Sequence, residues 1–211
     1  KRLKMDATKL LLEVCPSVRS VKAQSDPIGK TLMATELDEG LKLYRVSVPI
    51  GVIGVVFESR PDALVQIASL CLKSGNAVLL KGGSEAKETN RELSKVILEA
   101  TDGLDGIPEG WMFQLEDREE VRAILDLHEM IDLIIPRGGN ELVQSIMQNT
   151  KIPVMGHADG ICHVYVDKDA DLNDAIAIAI DAKTQYPAVC NAAETLLVHR
   201  EIAPAFLPEV V

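Results

Sequence analysis

Aromatic side chains are scarce in this 211-residue chain, where Trp, Tyr and Phe together make up 3%. That scarcity argues against the stacking platforms that bind single-stranded nucleic acid. Positive charge is also short: 22 Lys and Arg stand against 32 Asp and Glu, a net charge of −10. A field of that sign repels phosphate backbones and anionic lipid surfaces, and no basic patch offsets it, so neither nucleic acid nor a membrane is an expected partner. Cysteine occurs four times, at Cys15, Cys71, Cys162 and Cys190, widely scattered and without a C-x-x-C pair. A disulfide framework or structural zinc site is therefore not expected, and a reducing, cytoplasmic setting fits. Long apolar runs are absent too. The stretch Val46 to Phe57 is too short to cross a bilayer and is broken by Ser47, Pro49, Gly51 and Gly54. There is no internal repeat or low-complexity tract.

What remains, 47% hydrophobic and 26% charged residues, is ordinary globular composition with length enough for a full core. The basic, then apolar beginning is broken by Asp6, Lys9 and Glu13, which points to an amphipathic helix with Leu3, Ala7, Leu10, Leu11 and Val14 on one face rather than a signal peptide. Leu41 to Val48 alternates as a half-exposed strand, and Gly51 to Phe57 reads as a buried one. Pro61 opens a helix that Ser74-Gly75-Asn76 ends. Ala77 to Lys81 is a short buried strand, and Ser84 is placed to N-cap a helix running to about Ala100. A strand from Trp111, a helix from Arg118 to Leu127, a strand over Ile131 to Ile135 and a helix over Asn140 to Gln148 repeat the unit. Strand, Gly-bearing turn and helix recur without hairpin signals, the pattern of a parallel α/β sheet with helices on both faces. Beyond Lys151 a second α/β unit begins. It has a strand over Ile161 to Val166, a helix capped by Asp169 or Asp171, in which the alternating AIAIAI run sits at helical spacing, and a strand over Thr195 to His199, with no clear closing element.

Three segments carry chemistry. Lys81-Gly82-Gly83-Ser84 offers close backbone approach, a point charge and a helix N-terminus, features suited to an anion. On spacing alone, a plain strand-to-helix turn explains it better, since it is neither G-x-G-x-x-G nor a Walker loop. Arg137-Gly138-Gly139-Asn140 repeats the arrangement with a permanent charge, and two such corners in one sheet suit a dinucleotide, although turn residues alone would look the same. The third is Cys190, in a Pro-Ala-Val-Cys-Asn loop between helix and strand, a candidate nucleophile of a residue type that is usually a small buried hydrophobe. Cys71 and Cys162 read as core residues. A metal site from His157, Asp159, Cys162 and His163 is disfavoured because adjacent Cys162 and His163 face opposite sides of a strand.

The segments ESRPD, LLKGG, IIPRGG, GHADGICH and VCNAAETLL together resemble the gamma-glutamyl phosphate reductases, the glutamate-5-semialdehyde dehydrogenases of the aldehyde dehydrogenase superfamily. The resemblance runs from about Lys4 to the last residues. It implies an aldehyde dehydrogenase-like α/β fold: a helical segment over residues 1–40, a Rossmann-like NADP-binding domain over 41–155 and the start of a second α/β catalytic domain over 156–211. It also implies NADPH-dependent reduction of L-glutamyl 5-phosphate to L-glutamate 5-semialdehyde with release of phosphate, in proline biosynthesis. Cys190 would be the nucleophile, with Asn191 or Ser59 beside the oxyanion. Lys81, Gly82, Gly83 and Ser84, with Arg137, Gly138 and Gly139, would hold the cofactor, and Arg60, His157 and Asp159 the substrate. A homo-oligomeric parent enzyme and a partnership with glutamate 5-kinase follow from the same resemblance.

Where NAD-preferring relatives carry a glutamate on the ribose, this sequence has Ser84, which would not repel a 2′-phosphate. Pro153 to Gly160 lacks the glutamate with which aldehyde oxidisers activate water. The downstream half of the family pattern is missing, so the expectation is a partial chain. Two other readings stay open: a non-catalytic remnant, and another kind of aldehyde dehydrogenase.

Overall fold

The computed structural model describes residues 5–57, 61–156, 160–187 and 189–210. The chain folds as two units, residues 1–157 and 158–211.

In the first unit α1 (Ala7–Lys9) passes through one π-helical turn, Leu10–Val14, into α2 (Cys15–Ala23). Pro16 has no N–H to return to Leu12, and the widened turn accommodates that loss. Val14 and Val21 are buried, whereas Leu11, expected on the buried face, is exposed. The N-terminal segment is not helical through residue 40. Helix ends at Ala23, and β1 (Thr31–Asp38) pairs antiparallel with β2 (Leu41–Val46) around Glu39-Gly40, where Gly40 takes φ +77°. β2 is the strand expected from Leu41, though fully rather than half exposed, while β1 escapes sequence patterning because every residue of both strands is exposed, leaving no alternation of burial to read.

The sheet that follows is the core of the unit. β3 (Val52–Phe57), β4 (Ala77–Lys81), β5 (Met112–Leu115) and β6 (Leu133–Arg137) are all parallel, in the order β5-β4-β3-β6. The connections are α3 (Pro61–Lys73), α4 (Lys87–Thr101) and α5 (Arg118–Leu125), and α6 (Asn140–Gln148) follows β6. Val154 adds a parallel bridge beside Ile134 on the β6 edge.

Strand residues alternate between two cores. Ile53, Val55, Phe57, Val78, Leu80 and Leu133 pack with Leu64, Ala68 and Cys71 of α3 and with Leu93 and Ile97 of α4. Val56, Leu115 and Ile134 pack with Ile124 and Leu125 of α5 and Ile146 of α6. Helices therefore cover both faces, as the runs of apolar strand residues imply. Gly75, at φ +67°, ends α3, and the Asn76 Oδ1 beside it accepts the N–H groups of Ile50 and Gly51 at 2.7 and 2.9 Å, tying the start of β3 to that of β4.

The second unit is smaller. β7 (Cys162–Val166) and β8 (Ala193–Val198) are parallel, joined through α7 (Leu172–Thr184) and followed by α8 (Ala203–Val210). Asp171 caps α7 by accepting from the N–H groups of Asn173 and Asp174, and the AIAIAI run is helical. The sequence does not announce α8, because Pro204 and Pro208 read as breaks. Its Phe206 is fully buried against Val166, Ala175 and Ala179.

Candidate functional site

The parallel register sets the carboxyl ends of the strands level. Val56 lies beside Lys81, and Phe57 beside Arg137. β3 lies between β4 and β6, so the chain turns to opposite sides of β3, and the two glycine corners sit on its two flanks, about 10 Å apart by strand spacing. The end of β3 next to β6 is a topological switch point, the place where open α/β sheets receive ligands.

At the first corner Lys81 is buried, and its Nζ donates back to the Gly82 carbonyl at 2.5 Å. Gly82 is packed so tightly that a Cβ there would fall on the Asn90 side-chain amide and within 3.2 Å of the Phe57 ring. Asn90, on α4, is 1% exposed, and its Oδ1 has no hydrogen-bond partner. Ser84 does not N-cap α4. It is the first residue of a 3₁₀ turn, Ser84–Ala86, capped by Gly83, because the chain closes there with a tight bond from the Ala86 N–H to the Gly83 carbonyl at 3.1 Å. Ser84 stays exposed at the mouth of the corner, and the Glu85 carboxylate lies over Gly83.

At the second corner Arg137 is the last residue of β6. Its side chain is exposed and without an ion-pair partner among the described residues. Gly138 and Gly139 lead into α6, whose N-cap is Gly139. This open corner has a permanent charge beside the N-terminus of α6, whereas the Lys81 corner is closed around its cation.

Cys190 lies in the second unit, exposed, in the loop before β8. It and Asn191 are the central residues of a turn closed by the Ala192 N–H donating to the Val189 carbonyl at 3.2 Å. Cys162 is not the core residue expected: its thiol is half-buried and donates to the Cys190 carbonyl at 3.5 Å. Cys71 is core, and burial pushes its thiol from 9.0 up to about 11. Ser59, Arg60, His157 and Asp159 lie outside the described residues. Among the described residues no three His, Cys, Asp or Glu side chains gather as metal ligands, and no helix is long and apolar enough to cross a membrane.

Sequence reasoning gave Asn90 and Glu85 no place at the corner and read Cys162 as core. Asn90 had one visible signal, a polar side chain on the apolar stripe of α4, three residues before Leu93 and seven before Ile97.

The model of the aldehyde dehydrogenase family matches residues 8–211. The gamma-glutamyl phosphate reductase of Acetivibrio thermocellus is 62% identical over 210 residues, 100% of this chain and 48% of that protein. The protein of the same name from Pelotomaculum thermopropionicum is 63% identical over 210 residues, again 100% of this chain and 48% of the relative. The crystal structure of gamma-glutamyl phosphate reductase from Thermotoga maritima superposes with a TM-score of 0.92 at 41% identity, covering 99% of this chain and 50% of that one. The chain thus spans about half the length of the relatives it matches. A parallel sheet with a switch point between two glycine corners, and a family match over nearly every residue, lead to one conclusion: the chain belongs to the aldehyde dehydrogenase family.

Proposed function

We propose that the protein reduces L-glutamyl 5-phosphate to L-glutamate 5-semialdehyde with NADPH, releasing phosphate, as a step of proline biosynthesis. The observation that carries this reading is the identity of 62% and 63% to two gamma-glutamyl phosphate reductases over the whole of this chain. In this reading residues 41–155 hold the cofactor and 156–211 form part of the catalytic domain, within a cytoplasmic homo-oligomer that receives its unstable substrate from glutamate 5-kinase.

Cys190 is the nucleophile. Its thiolate attacks the acyl phosphate carbon, a C–S bond forms, and the C–O bond to phosphate breaks, leaving a thioester and free phosphate. The oxyanion of that step takes hydrogen bonds from the Cys190 N–H and from the Asn191 or Ser59 side chain. The chemistry that NADPH supplies when bound is hydride donation. Arg60, His157 and Asp159 contact the substrate; the guanidinium of Arg60 can grip a carboxylate or phosphate bidentately. The segment Pro153 to Gly160 contains no glutamate to activate water, which protects the thioester from hydrolysis.

The fit of the cofactor rests on the two corners. Gly82 leaves no room for a side chain and so keeps the backbone bare, Lys81 places a cation beneath it, and Arg137 stands exposed across β3. Ser84 can donate to a 2′-phosphate that a carboxylate would repel. Exchange of Ser84 for Glu should lower the NADPH preference at least tenfold in the ratio of kcat/KM values for the two cofactors; an unchanged ratio refutes the role given to Ser84.

The test of the function is the reverse reaction in the full-length protein: reduction of NADP⁺ by glutamate semialdehyde that requires phosphate and is abolished in Cys190→Ala. Turnover of simple aldehydes without phosphate would instead make it an aldehyde oxidiser.

A further inference from the structure

Two contacts converge on one atom, the backbone oxygen of Cys190, and a register shift lies beside it. The Cys162 thiol, a weak donor, donates to it at 3.5 Å. Gly160 approaches it from the same chain segment so closely that a Cβ at residue 160 would stand 3.0 Å from it. The register of the β7–β8 pair shifts at this point: Cys162 is level with Ala193 but His163 with Thr195, so β8 carries an extra residue where it emerges from the Cys190 turn. Bulges of this kind re-aim the chain beside active sites.

We infer that Cys162 is a positioning residue for Cys190, an inference that rests on the nucleophile reading above. A trans peptide holds its C=O and N–H on opposite sides. Pinning the Cys190 carbonyl against Gly160 and the Cys162 thiol therefore turns the Asn191 N–H away from β7 and fixes the ψ angle of Cys190. Among the described residues the loop's other bonds are local: Val189 N–H to the Tyr186 carbonyl and Ala192 N–H to the Val189 carbonyl, both 3.2 Å. Cys162 supplies the tie from the strand to the nucleophile's own peptide group, and residue 160 must be small to leave room for it. A misplacement of about 1 Å in a reacting group costs up to about a hundredfold in rate, which makes such a tie worth keeping.

The experiment compares Cys162→Ala, Cys162→Ser and Gly160→Ala in the full-length protein. It reads kcat and the KM for NADP⁺ in the reverse assay, and the rate at which iodoacetamide modifies Cys190, followed by peptide mass mapping. Cys162→Ala should lower kcat about tenfold, the worth of one hydrogen bond, with KM for NADP⁺ unchanged and a shifted Cys190 alkylation rate. Cys162→Ser keeps a donor and should recover the larger part of both. Gly160→Ala should reproduce the kcat loss with the thiol intact, so the idea stays testable if Cys162→Ala does not fold. Unchanged kcat and alkylation in Cys162→Ala, or no recovery in Cys162→Ser, overturns the positioning role. Activity surviving in Cys190→Ala overturns the nucleophile reading instead, so the two failures are told apart.

Discussion

Gly82 and the two cysteines of unlike burial show how much a single position decides. An alanine at residue 82 would drive its methyl into the Asn90 amide, and Asn90 is itself 1% exposed with nowhere to retreat. Gly82→Ala should cost about 1–3 kcal/mol by overpacking, read as a lower urea midpoint at constant slope; an unchanged midpoint would mean the corner has slack. Cys71 and Cys190 should separate by reactivity. The neutral Cys71 thiol is favoured in the folded chain, so its contribution to stability is whole below pH 9 and is lost as pH rises through about 11. At pH 8 iodoacetamide should label the exposed Cys190 and spare Cys71 until the chain is unfolded; equal labelling under native conditions would contradict the burial. Both roles are only half legible in the sequence. The Lys-Gly-Gly string marks a turn but not that Asn90, eight residues on, fills the space behind it. Cys162 reads as a core residue of its strand, whereas it is half-buried with its thiol on the Cys190 carbonyl.

Elements with strong local signals stand where those signals place them. α6 covers Asn140–Gln148 as its apolar spacing predicts, and Asp171 caps α7. α5 is held by a reciprocal cap: the Asp117 carboxylate accepts from the Glu120 N–H at 2.8 Å, and the Glu120 carboxylate accepts from the Asp117 N–H at 3.1 Å. Asp117→Ala should lower stability by about 1 kcal/mol and Asp117→Ser by much less, measured by thermal unfolding. Equal effects of the two would show that the hydroxyl does not replace the carboxylate as a cap. Close by, Glu116 joins α4 to the end of β5 through Lys87 at 2.8 Å and Arg91 at 2.8 Å, and these two bonds hold its carboxyl below the ordinary range. β1, the partner strand of the hairpin, and α8 were the elements hidden from local reading. The hairpin has no buried face and α8 contains prolines, so their positions depend on what the chain does elsewhere.

At the scale of the molecule the two units differ in the size of their cores. Residues 1–157 have an apolar cluster on each face of a four-stranded sheet, whereas among the described residues of 158–211 the buried cluster is Val166, Ala175, Ala179 and Phe206. A unit of that size is marginal by itself. Trp111, the one tryptophan, is 5% exposed in the first unit and reports on that unit's core. In urea, helical circular dichroism should fall before Trp111 fluorescence changes; coincident transitions would show the 211-residue chain unfolding as one cooperative body.

The sequence by itself determined that the chain is a parallel α/β protein, where most strands and helices lie, and that glycine corners follow two buried strands. All of these follow from local periodicity and turn chemistry. Only the tertiary structure decided that β4 and β6 flank β3, so that Lys81 and Arg137 stand on either side of one strand end, and that the Cys162 thiol meets the Cys190 carbonyl. Those relations join residues 25 to 80 positions apart. They are set by which apolar faces pack together, a choice that no short window of sequence contains.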